Sequence, residues 1–306
     1  MTKSLLSAEH IHDEAAAEAF IEARIWPQGP VCPRCGETDR VGRLQAKNMK
    51  IGMCKCYVCR KPFAVTVGTV MESSHIPLHI WLQAMHLLCS SKKGISSNQL
   101  HRTLGVTLKS AWFLSHRIRE AMTALAIEPM GGEGAIIEID ETFIGRKEGF
   151  PVKSGHGHKR AVMTLVERGK GSRSFHVEGP SSAVLLPIIR ANVHSATYVM
   201  TDEATYYSRL GQFFAGHDYT RHSAGEYVRG MVHTNTVEGF YSVFKRGFKG
   251  IYQHCAEHHL QRYIAEYDFR YNNRTRLGVD DVQRTDIVLK GVVGKRLTYR
   301  TTAGAA

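Results

Sequence analysis

Two pairs of cysteines near the N-terminus constrain what this chain can fold into more than any other feature of its sequence. Each pair is spaced C-x2-C, 20 residues separate the pairs, and their members are Cys32, Cys35, Cys56 and Cys59. This spacing allows four thiolates to close a tetrahedron around Zn²⁺, and it favours a structural metal site over free buried thiols. Cys54 leaves an alternative open, because it could replace Cys56 with a longer spacing. We expect a zinc ribbon over residues 30–70, whose core is too small to stand without the metal.

Length and charge narrow the class of protein. A chain of 306 residues is about twice the usual domain length, so two or three units are expected. Lys and Arg number 40 against 28 Asp and Glu, and the net charge of +12 points to a polyanionic partner, with double-stranded DNA as the first candidate. The ribbon would present basic side chains to phosphates, namely Arg34, Arg40, Arg43, Lys47, Arg60 and Lys61.

The distribution of apolar residues and cysteines predicts a cytoplasmic protein. No stretch approaches about 18 uninterrupted apolar residues, so no membrane span is expected. Five of the seven cysteines crowd into one short segment, which is not the distribution of a secreted disulfide framework.

Changes in composition and in the spacing of apolar residues divide the chain into five segments. They are an N-terminal helix over residues 1–29, the ribbon over 30–70, a helical segment over 75–128, an α/β domain over 133–285 and a basic tail over 286–306. We expect the tail to be frayed from about Gly291. The Gly-rich run at residues 130–134 marks the boundary between the two halves.

The helical segment has the pattern of a helix-turn-helix unit. Two short helical stretches follow a longer one and are separated by Leu104-Gly105-Val106. The second stretch would be the recognition helix, with Lys109 near its start as a candidate DNA contact. A three-helix bundle with a purely structural role has the same sequence pattern. Two alternatives therefore stay open: the segment contacts DNA bases directly, or it only supports the fold.

Carboxylates stand within or at the end of two strands in the second half of the chain. The element order there is three strands, a helix, a strand and two long amphipathic helices, which predicts an α/β domain with a mixed sheet flanked by helices. In the first strand, period-2 alternation places Glu138 and Asp140 on one face and Glu141 on the other. Asp202 ends the fourth strand. A carboxylate within an apolar strand is costly unless it is compensated, and a divalent metal would compensate it.

Glu238 supplies a third acid from a helix. One face of this helix, beside the apolar stripe, carries Glu238, Ser242, Lys245 and Lys249. Lys245 and Lys249 are therefore candidate DNA contacts on a cationic track that leads to an acid. Two strand acids and a helix acid in this order indicate an RNase H-like nuclease, in which Asp140, Asp202 and Glu238 would bind two Mg²⁺ or Mn²⁺.

The third ligand position has a second candidate. Asn235 and Glu238 lie three residues apart, close enough to share a face of one helical turn. A carboxylate is the better ligand for Mg²⁺, because it is a hard anionic oxygen donor. We therefore assign Glu238 to the metal, and Asn235 to capping of the helix or to support of the site.

These motifs together resemble the DDE transposases of bacterial insertion sequences, in the ISXO-type group that carries an N-terminal zinc ribbon. The landmarks extend from about residue 15 to 275 and include WPQGPVCPRCG, CYVCRKPFAVTVGT, EIDETFIG, TDEATYY, HTNTVEGFYSVFKRGFKG and HLQRYIAEYDFRYNNR. The resemblance implies that Asp140, Asp202 and Glu238 form a DDE triad. It also implies that water, and then a DNA 3′-hydroxyl, attacks a phosphodiester without a covalent protein intermediate. Cutting and joining two element ends would require at least a homodimer on DNA.

Two other functions fit part of the pattern. A DNA-binding regulator derived from a transposase would use the ribbon and the helix-turn-helix alone, and the acids at all three catalytic positions argue against it. A nuclease that hydrolyses DNA without joining it has the same residues, and the sequence does not separate it from a transposase.

Overall fold

The computed structural model describes residues 5–45, 49–124, 128–152 and 154–298. The helices in chain order are α1 Glu14–Ile25, α2 Leu78–Ser90, α3 Ser97–Leu104, α4 Leu108–Met122, α5 Ser182–Asn192, α6 Asn235–Gly247, α7 Leu260–Asn272 and α8 Asp281–Lys290. The strands are β1 Val41–Arg43, β2 Cys54–Cys56, β3 Pro62–Phe63, β4 Ile136–Ile144, β5 Arg160–Glu167, β6 Ser172–Val177, β7 Tyr198–Thr201, β8 Gly216–Tyr219, β9 Val228–Arg229 and β10 Val232–His233. Within these described ranges, no helix is both long and apolar enough to cross a membrane.

The chain divides into two units. The first comprises Met1–Thr123 with Val279–Ala306, and the second is Ala124–Gly278. In the first unit, β1, β2 and β3 form an antiparallel sheet. The Gly-rich run expected to separate the two halves belongs to the second unit, where Gly132 N–H donates to Thr197 Oγ1 at 2.9 Å.

The two short helices of the predicted helix-turn-helix are present, and their boundaries have local causes. The Ser96 hydroxyl accepts the N–H of Gln99 at 3.1 Å where α3 begins. Gly105 has φ of +66°, a left-handed conformation that ends α3. The Thr107 hydroxyl accepts the N–H of Ser110 at 3.1 Å and caps α4. Capping residues and a glycine thus encode the turn locally.

The C-terminal segment differs from the basic tail that the sequence predicts. α8 spans position 285, where the α/β domain was expected to end, and it packs against α1 and α2 of the first unit. Beyond α8, Val292 is fully buried, and the Lys295 ammonium donates to the carbonyls of Ala121 at 3.0 Å and of Thr123. A cation that satisfies the carbonyls ending α4 is stabilising. The expectation of a frayed tail is therefore wrong as far as residue 298, and residues 299–306 lie outside the described residues.

A five-stranded mixed sheet forms the centre of the second unit. Its strand order is β6-β5-β4-β7-β8, with β5 antiparallel to β4 and β6, and with β7 parallel to β4 and β8. This is the predicted RNase H-like arrangement. The sequence does not predict β8 or the β9–β10 hairpin, because these strands are short and lack apolar alternation.

Successive side chains along each strand point to opposite faces of the sheet, so the apolar residues form two hydrophobic cores, one on each face. On one face, Ile139 of β4 packs in a cluster that includes α5. On the other, Val162 of β5 packs with Phe244 of α6 and with Tyr263 and Tyr267 of α7. Tyr263 and Tyr267 of α7 are therefore core packing residues.

Asp268 is a buried carboxylate that fastens α7 to β6. It accepts hydrogen bonds from Ser172 Oγ at 2.7 Å and from the N–H and Oγ of Ser174 at 2.7 and 2.8 Å. Burial raises the pKa of Asp268 from 3.8 to about 6, although these hydrogen bonds oppose the shift. Because the folded state holds the proton more tightly than the unfolded state, this contribution to stability is complete below pH 3.8 and is lost as the pH rises through about 6.

We therefore expect the wild-type protein to lose roughly 3 kcal/mol of unfolding free energy, relative to the Asp268→Asn variant, between about pH 4 and pH 7. All three tryptophans, Trp26, Trp81 and Trp112, lie in the first unit. Tryptophan fluorescence during urea unfolding thus reports that unit, and a circular dichroism transition without a fluorescence counterpart reports the second. If the difference in unfolding free energy between the wild type and Asp268→Asn stays constant with pH, the prediction is wrong.

Candidate active site and zinc site

The four cysteines predicted to bind zinc lie together in the ribbon. The Sγ atoms of Cys32 and Cys59 are 3.7 Å apart. Those of Cys35 and Cys56 are 3.6 Å apart, and all four sulfurs lie within 4.8 Å of one another. A tetrahedral site with Zn–S bonds of about 2.3 Å has sulfurs ~3.8 Å apart, so the cluster has the size that zinc requires.

Cys54, the alternative ligand, lies outside this cluster. Its thiol is fully buried and donates to the carbonyl oxygen of Gly52 at 3.8 Å. The geometry therefore favours Cys56 as the fourth sulfur, and ligation of zinc itself stays a prediction.

Most of the basic side chains expected to face DNA are exposed. On the ribbon these are Arg34, Arg40, Arg60 and Lys61. Arg43 is also exposed, but its guanidinium is paired with the carboxylate of Glu22; Lys47 lies outside the described residues. In the helices, the exposed candidates are Lys109 in the first turn of α4, Lys245 in the last turn of α6 and Lys249 just beyond it.

Asp140 lies on the central strand β4. Its Oδ1 accepts the N–H of Glu141 at 2.8 Å, and the Tyr241 hydroxyl on α6 donates to its carbonyl oxygen at 2.6 Å. Burial raises the pKa of Asp140 from 3.8 to about 8, and the charge of Glu141 adds to this shift. The charges of Asp202 and Glu238 raise it further, so the three predicted acids lie within electrostatic reach of one another.

The pairing of parallel strands brings Asp202 to Asp140. β7 runs parallel to β4 with Met200 opposite Glu138. Two residues further along each strand, Asp202 and Asp140 reach the same end of the sheet. Asp202 is partly exposed, and its Oδ1 accepts the N–H of Ala204 at 3.1 Å.

Glu238 lies in the first turn of α6 with its side chain exposed. Its Oε1 accepts the Thr234 hydroxyl at 3.0 Å and lies 3.9 Å from Nε2 of His222. This third acid is thus oriented by its own helix start and accessible to a ligand from solvent.

The start of α6 is capped by Glu138, so the predicted capping role of Asn235 is wrong. Oε2 of Glu138 accepts the N–H groups of Thr236 at 2.7 Å and of Val237 at 3.0 Å. The Asn235 side chain is exposed and has no hydrogen-bond partner in the part of the chain that the structure describes. A buried carboxylate is the stronger acceptor for these amides, and it complements the helix dipole.

Glu141 is a fourth acid at this end of the sheet that the sequence pattern does not single out. The Tyr206 hydroxyl donates to its Oε2 at 2.9 Å, and the Tyr207 hydroxyl donates to its Oε1. Burial raises the pKa of Glu141 to about 7, the two hydrogen bonds lower it, and the charge of Asp202 raises it. The adjacent tyrosines that follow Asp202 are the one hint of this contact in the sequence.

The ligand atoms of Asp140, Asp202 and Glu238 do not lie close enough together to hold one metal ion without other ligands. Among the described residues, the four cysteines are the one group of three or more His, Cys, Asp or Glu whose ligand atoms come close enough for that. Mg²⁺ is bound by one or two carboxylates together with water and substrate oxygens, so separated acids suit a metal that also binds substrate.

An RNase H-like sheet with acids gathered at one end, preceded by a four-cysteine ribbon, defines the class of zinc-ribbon DDE transposases. Residues 131–272 match the ISXO2-like transposase domain of the IS1595 group. Residues 12–62 match the transposase zinc-ribbon domain of the same group. The chain thus carries both the DDE domain and the zinc-ribbon domain of the IS1595 transposases, which confirms the resemblance in its sequence motifs.

One curated relative and one solved structure complete the comparison. The chain is 28% identical over 256 residues to an uncharacterized protein in transposable element ISH50 of Halobacterium salinarum, covering 77% of this chain and 83% of the relative. It also aligns, at 16% identity and a TM-score of 0.28, with a chain of a simian T-cell lymphotropic virus intasome in complex with PP2A regulatory subunit B56 gamma. That alignment spans 56% of this chain and 63% of the other.

Proposed function

We propose that this protein is the transposase of an insertion sequence, which binds the ends of its element and catalyses metal-dependent cleavage and joining of DNA strands. Asp140, Asp202 and Glu238 form its catalytic triad. The observation that carries the proposal is the arrangement of three elements: β7 runs parallel to β4, which brings Asp202 towards Asp140, and the Tyr241 hydroxyl ties α6, which bears Glu238, to the carbonyl of Asp140 at 2.6 Å. Burial raises the pKa of Asp140 to about 8 and the charges of the neighbouring acids add to this shift, as is typical of a functional site that gains from a bound cation.

The triad fits Mg²⁺ or Mn²⁺. Its carboxylates are hard anionic ligands of the kind that these ions prefer. Among the described residues, Asp140 and Asp202 have no Lys or Arg ion-pair partner, so no cation of the protein competes with a metal for them. Bound there, two divalent ions would activate the attacking hydroxyl and stabilise the leaving oxygen of a phosphodiester.

The residues around the triad prepare it for this reaction. Tyr241 ties α6 to β4 by its hydrogen bond to the Asp140 carbonyl, and Thr234 orients the carboxylate of Glu238. Lys245 and Lys249 are exposed on the same side of the helix as Glu238 and bind the phosphates of DNA that leads to the triad.

The first unit binds DNA without taking part in the chemistry. Four thiolates leave no open position on Zn²⁺, so the metal held by Cys32, Cys35, Cys56 and Cys59 is structural. The ribbon and α4, with Lys109 in its first turn, contact double-stranded DNA in the cytoplasm. Joining two element ends requires at least two chains on the DNA.

Labelled element ends provide the test. Purified protein is incubated with Mg²⁺ or Mn²⁺, a duplex carrying the genomic sequence that flanks its reading frame, and a target plasmid. We expect cut ends followed by strand-transfer products, and we expect EDTA to abolish both. Cut ends without joined products would identify a nuclease, and binding without cleavage would identify a regulator.

The cationic track on α6 predicts a salt effect. Each phosphate contact contributes a slope of roughly −0.9 to the dependence of log affinity on log salt concentration. If Lys245 and Lys249 each contact one phosphate, replacing both with Ala flattens this slope by about two units. Fluorescence anisotropy of labelled DNA across a salt series measures the slope.

The Lys245→Ala single variant is measured as well, and Lys170→Ala is its control. Lys170 is exposed in the same unit and pairs with Glu167 at 2.7 Å, so its loss removes the same charge away from the track. A slope for the double Lys245/Lys249 variant equal to that of the wild type would place the DNA elsewhere on the protein.

A further inference from the structure

We propose that Glu138 and Glu141 are positioning residues, which hold the elements bearing Glu238 and Asp202 against the strand that bears Asp140. The two glutamates flank Asp140 on β4, and they point to opposite faces of the sheet because side chains alternate along a strand. The inference rests on the proposed function, since it concerns the same three acids.

Glu138 fastens the start of α6 to β4. Its side chain is fully buried, and its Oε2 accepts the N–H groups of Thr236 and Val237 at 2.7 and 3.0 Å. Its Oε1 accepts the Thr236 hydroxyl at 2.8 Å. Glu238 is the next residue after Val237, so the two anchored peptide groups directly precede the third acid.

Arg168 extends this anchor to the β9–β10 hairpin, which leads into α6. Its Nε donates to Oε1 of Glu138 at 2.6 Å. Its other nitrogens donate to the carbonyl of Met231 at 2.8 Å and to that of His233 at 2.9 Å. A buried charge whose partners are lost is strongly destabilising, so this network restricts α6 to one position over β4.

Glu141 fastens the loop that follows Asp202. Both of its oxygens accept tyrosine hydroxyls, from Tyr206 at 2.9 Å and from Tyr207. Burial and the charge of Glu141 raise the pKa of both tyrosines above the usual value, so both hydroxyls stay protonated and can donate. The N–H of Ala204 donates to the Asp202 carboxylate within the same turn.

Both anchors start on β4, so this strand sets the spacing of the three acids. The contacts also explain why the two glutamates support the site instead of serving as ligands. Glu138 is fully buried with both oxygens hydrogen-bonded, and each oxygen of Glu141 holds a phenol proton. Losing an outer partner of a metal ligand typically costs about 10- to 100-fold in metal affinity or activity.

The experiment measures metal binding and cleavage for Glu138→Gln and Glu141→Gln in the full-length chain. The control is Glu133→Gln, which removes an exposed carboxylate just before β4. Mn²⁺ affinity is read from the electron paramagnetic resonance signal of free Mn²⁺, independently of activity. We expect both variants to bind Mn²⁺ about 10- to 100-fold more weakly than the control. We also expect higher Mn²⁺ to restore part of their cleavage rate.

A double-mutant cycle separates the Glu141 anchor from a general loss of packing. Replacing Tyr206 and Tyr207 with Phe breaks the same contact from the other side. Because the anchor can be lost only once, combining these changes with Glu141→Gln should cost no more than the larger of the two separate effects. Additive costs would overturn the anchoring role of Glu141.

Two further variants weaken the same anchors more mildly, and they are used if either Gln substitution prevents folding. Thr236→Val removes one donor to Glu138, and Tyr206→Phe removes one donor to Glu141; smaller losses of Mn²⁺ affinity are expected from each. Affinities equal to that of Glu133→Gln would overturn the positioning roles, even if the triad variants are inactive. If the triad variants themselves cleave normally, the proposed function fails, and the positioning roles fail with it.

Discussion

Replacing Asp140 or Asp202 with Ala, or Glu238 with Gln, is expected to lower DNA strand cleavage by several orders of magnitude. Each change removes an anionic ligand from a site that has to balance the charge of two divalent ions. Cleavage of labelled element ends in Mn²⁺ measures the loss. Each variant is first checked for wild-type DNA affinity, which is expected because the exposed cations proposed to contact DNA are unchanged.

Asn235→Ala is the matched control at the third position. Asn235 lies three residues before Glu238 on the same helix, its side chain is exposed, and it caps no amide. We expect this variant to retain a measurable fraction of cleavage. If Asn235→Ala is inactive while Glu238→Gln cuts normally, the triad is Asp-Asp-Asn and our assignment is wrong.

Purified protein is expected to carry about one Zn²⁺ per chain, and Cys35→Ser or Cys59→Ser should release it and unfold the ribbon. Binding of structural zinc contributes roughly 10–16 kcal/mol in small zinc domains, and the ribbon has a small core of its own. Elemental analysis measures the zinc. The second unit should stay folded, so hydrogen-exchange protection should be lost in the ribbon and kept across Ala124–Gly278.

Cys54→Ser is the control for the zinc prediction. Cys54 is as deeply buried as Cys56 and lies on the same strand, but its sulfur is outside the cluster. This variant should lose some stability from packing and still bind one zinc. A metal-free preparation with a fully protected ribbon would show that the cysteines are ordinary core residues.

Local patterns were sufficient to predict the framework of this protein. The C-x2-C spacing identified the four sulfurs that cluster, because a metal constrains residues that are near in sequence. Alternation in β4 sorted Asp140 to the face that packs against α6, and the helical spacing after Glu238 identified the exposed lysines. The order of β4 to β7 and of α5 to α7 was predictable as well, whereas β8, the β9–β10 hairpin and α8 were not.

Contacts between distant parts of the chain were decided only by the tertiary structure. α8 returns to the first unit, and the caps of α3 and α4 are local whereas that of α6 is not. Glu138 caps α6 from 98 residues away, and Glu141 meets Tyr206 across 65 residues. Periodicity shows which face a side chain occupies, but it carries no information on which distant donor will satisfy a buried carboxylate there. That partner is selected when the sheet and helices pack, because an unpaired buried charge is too costly to persist.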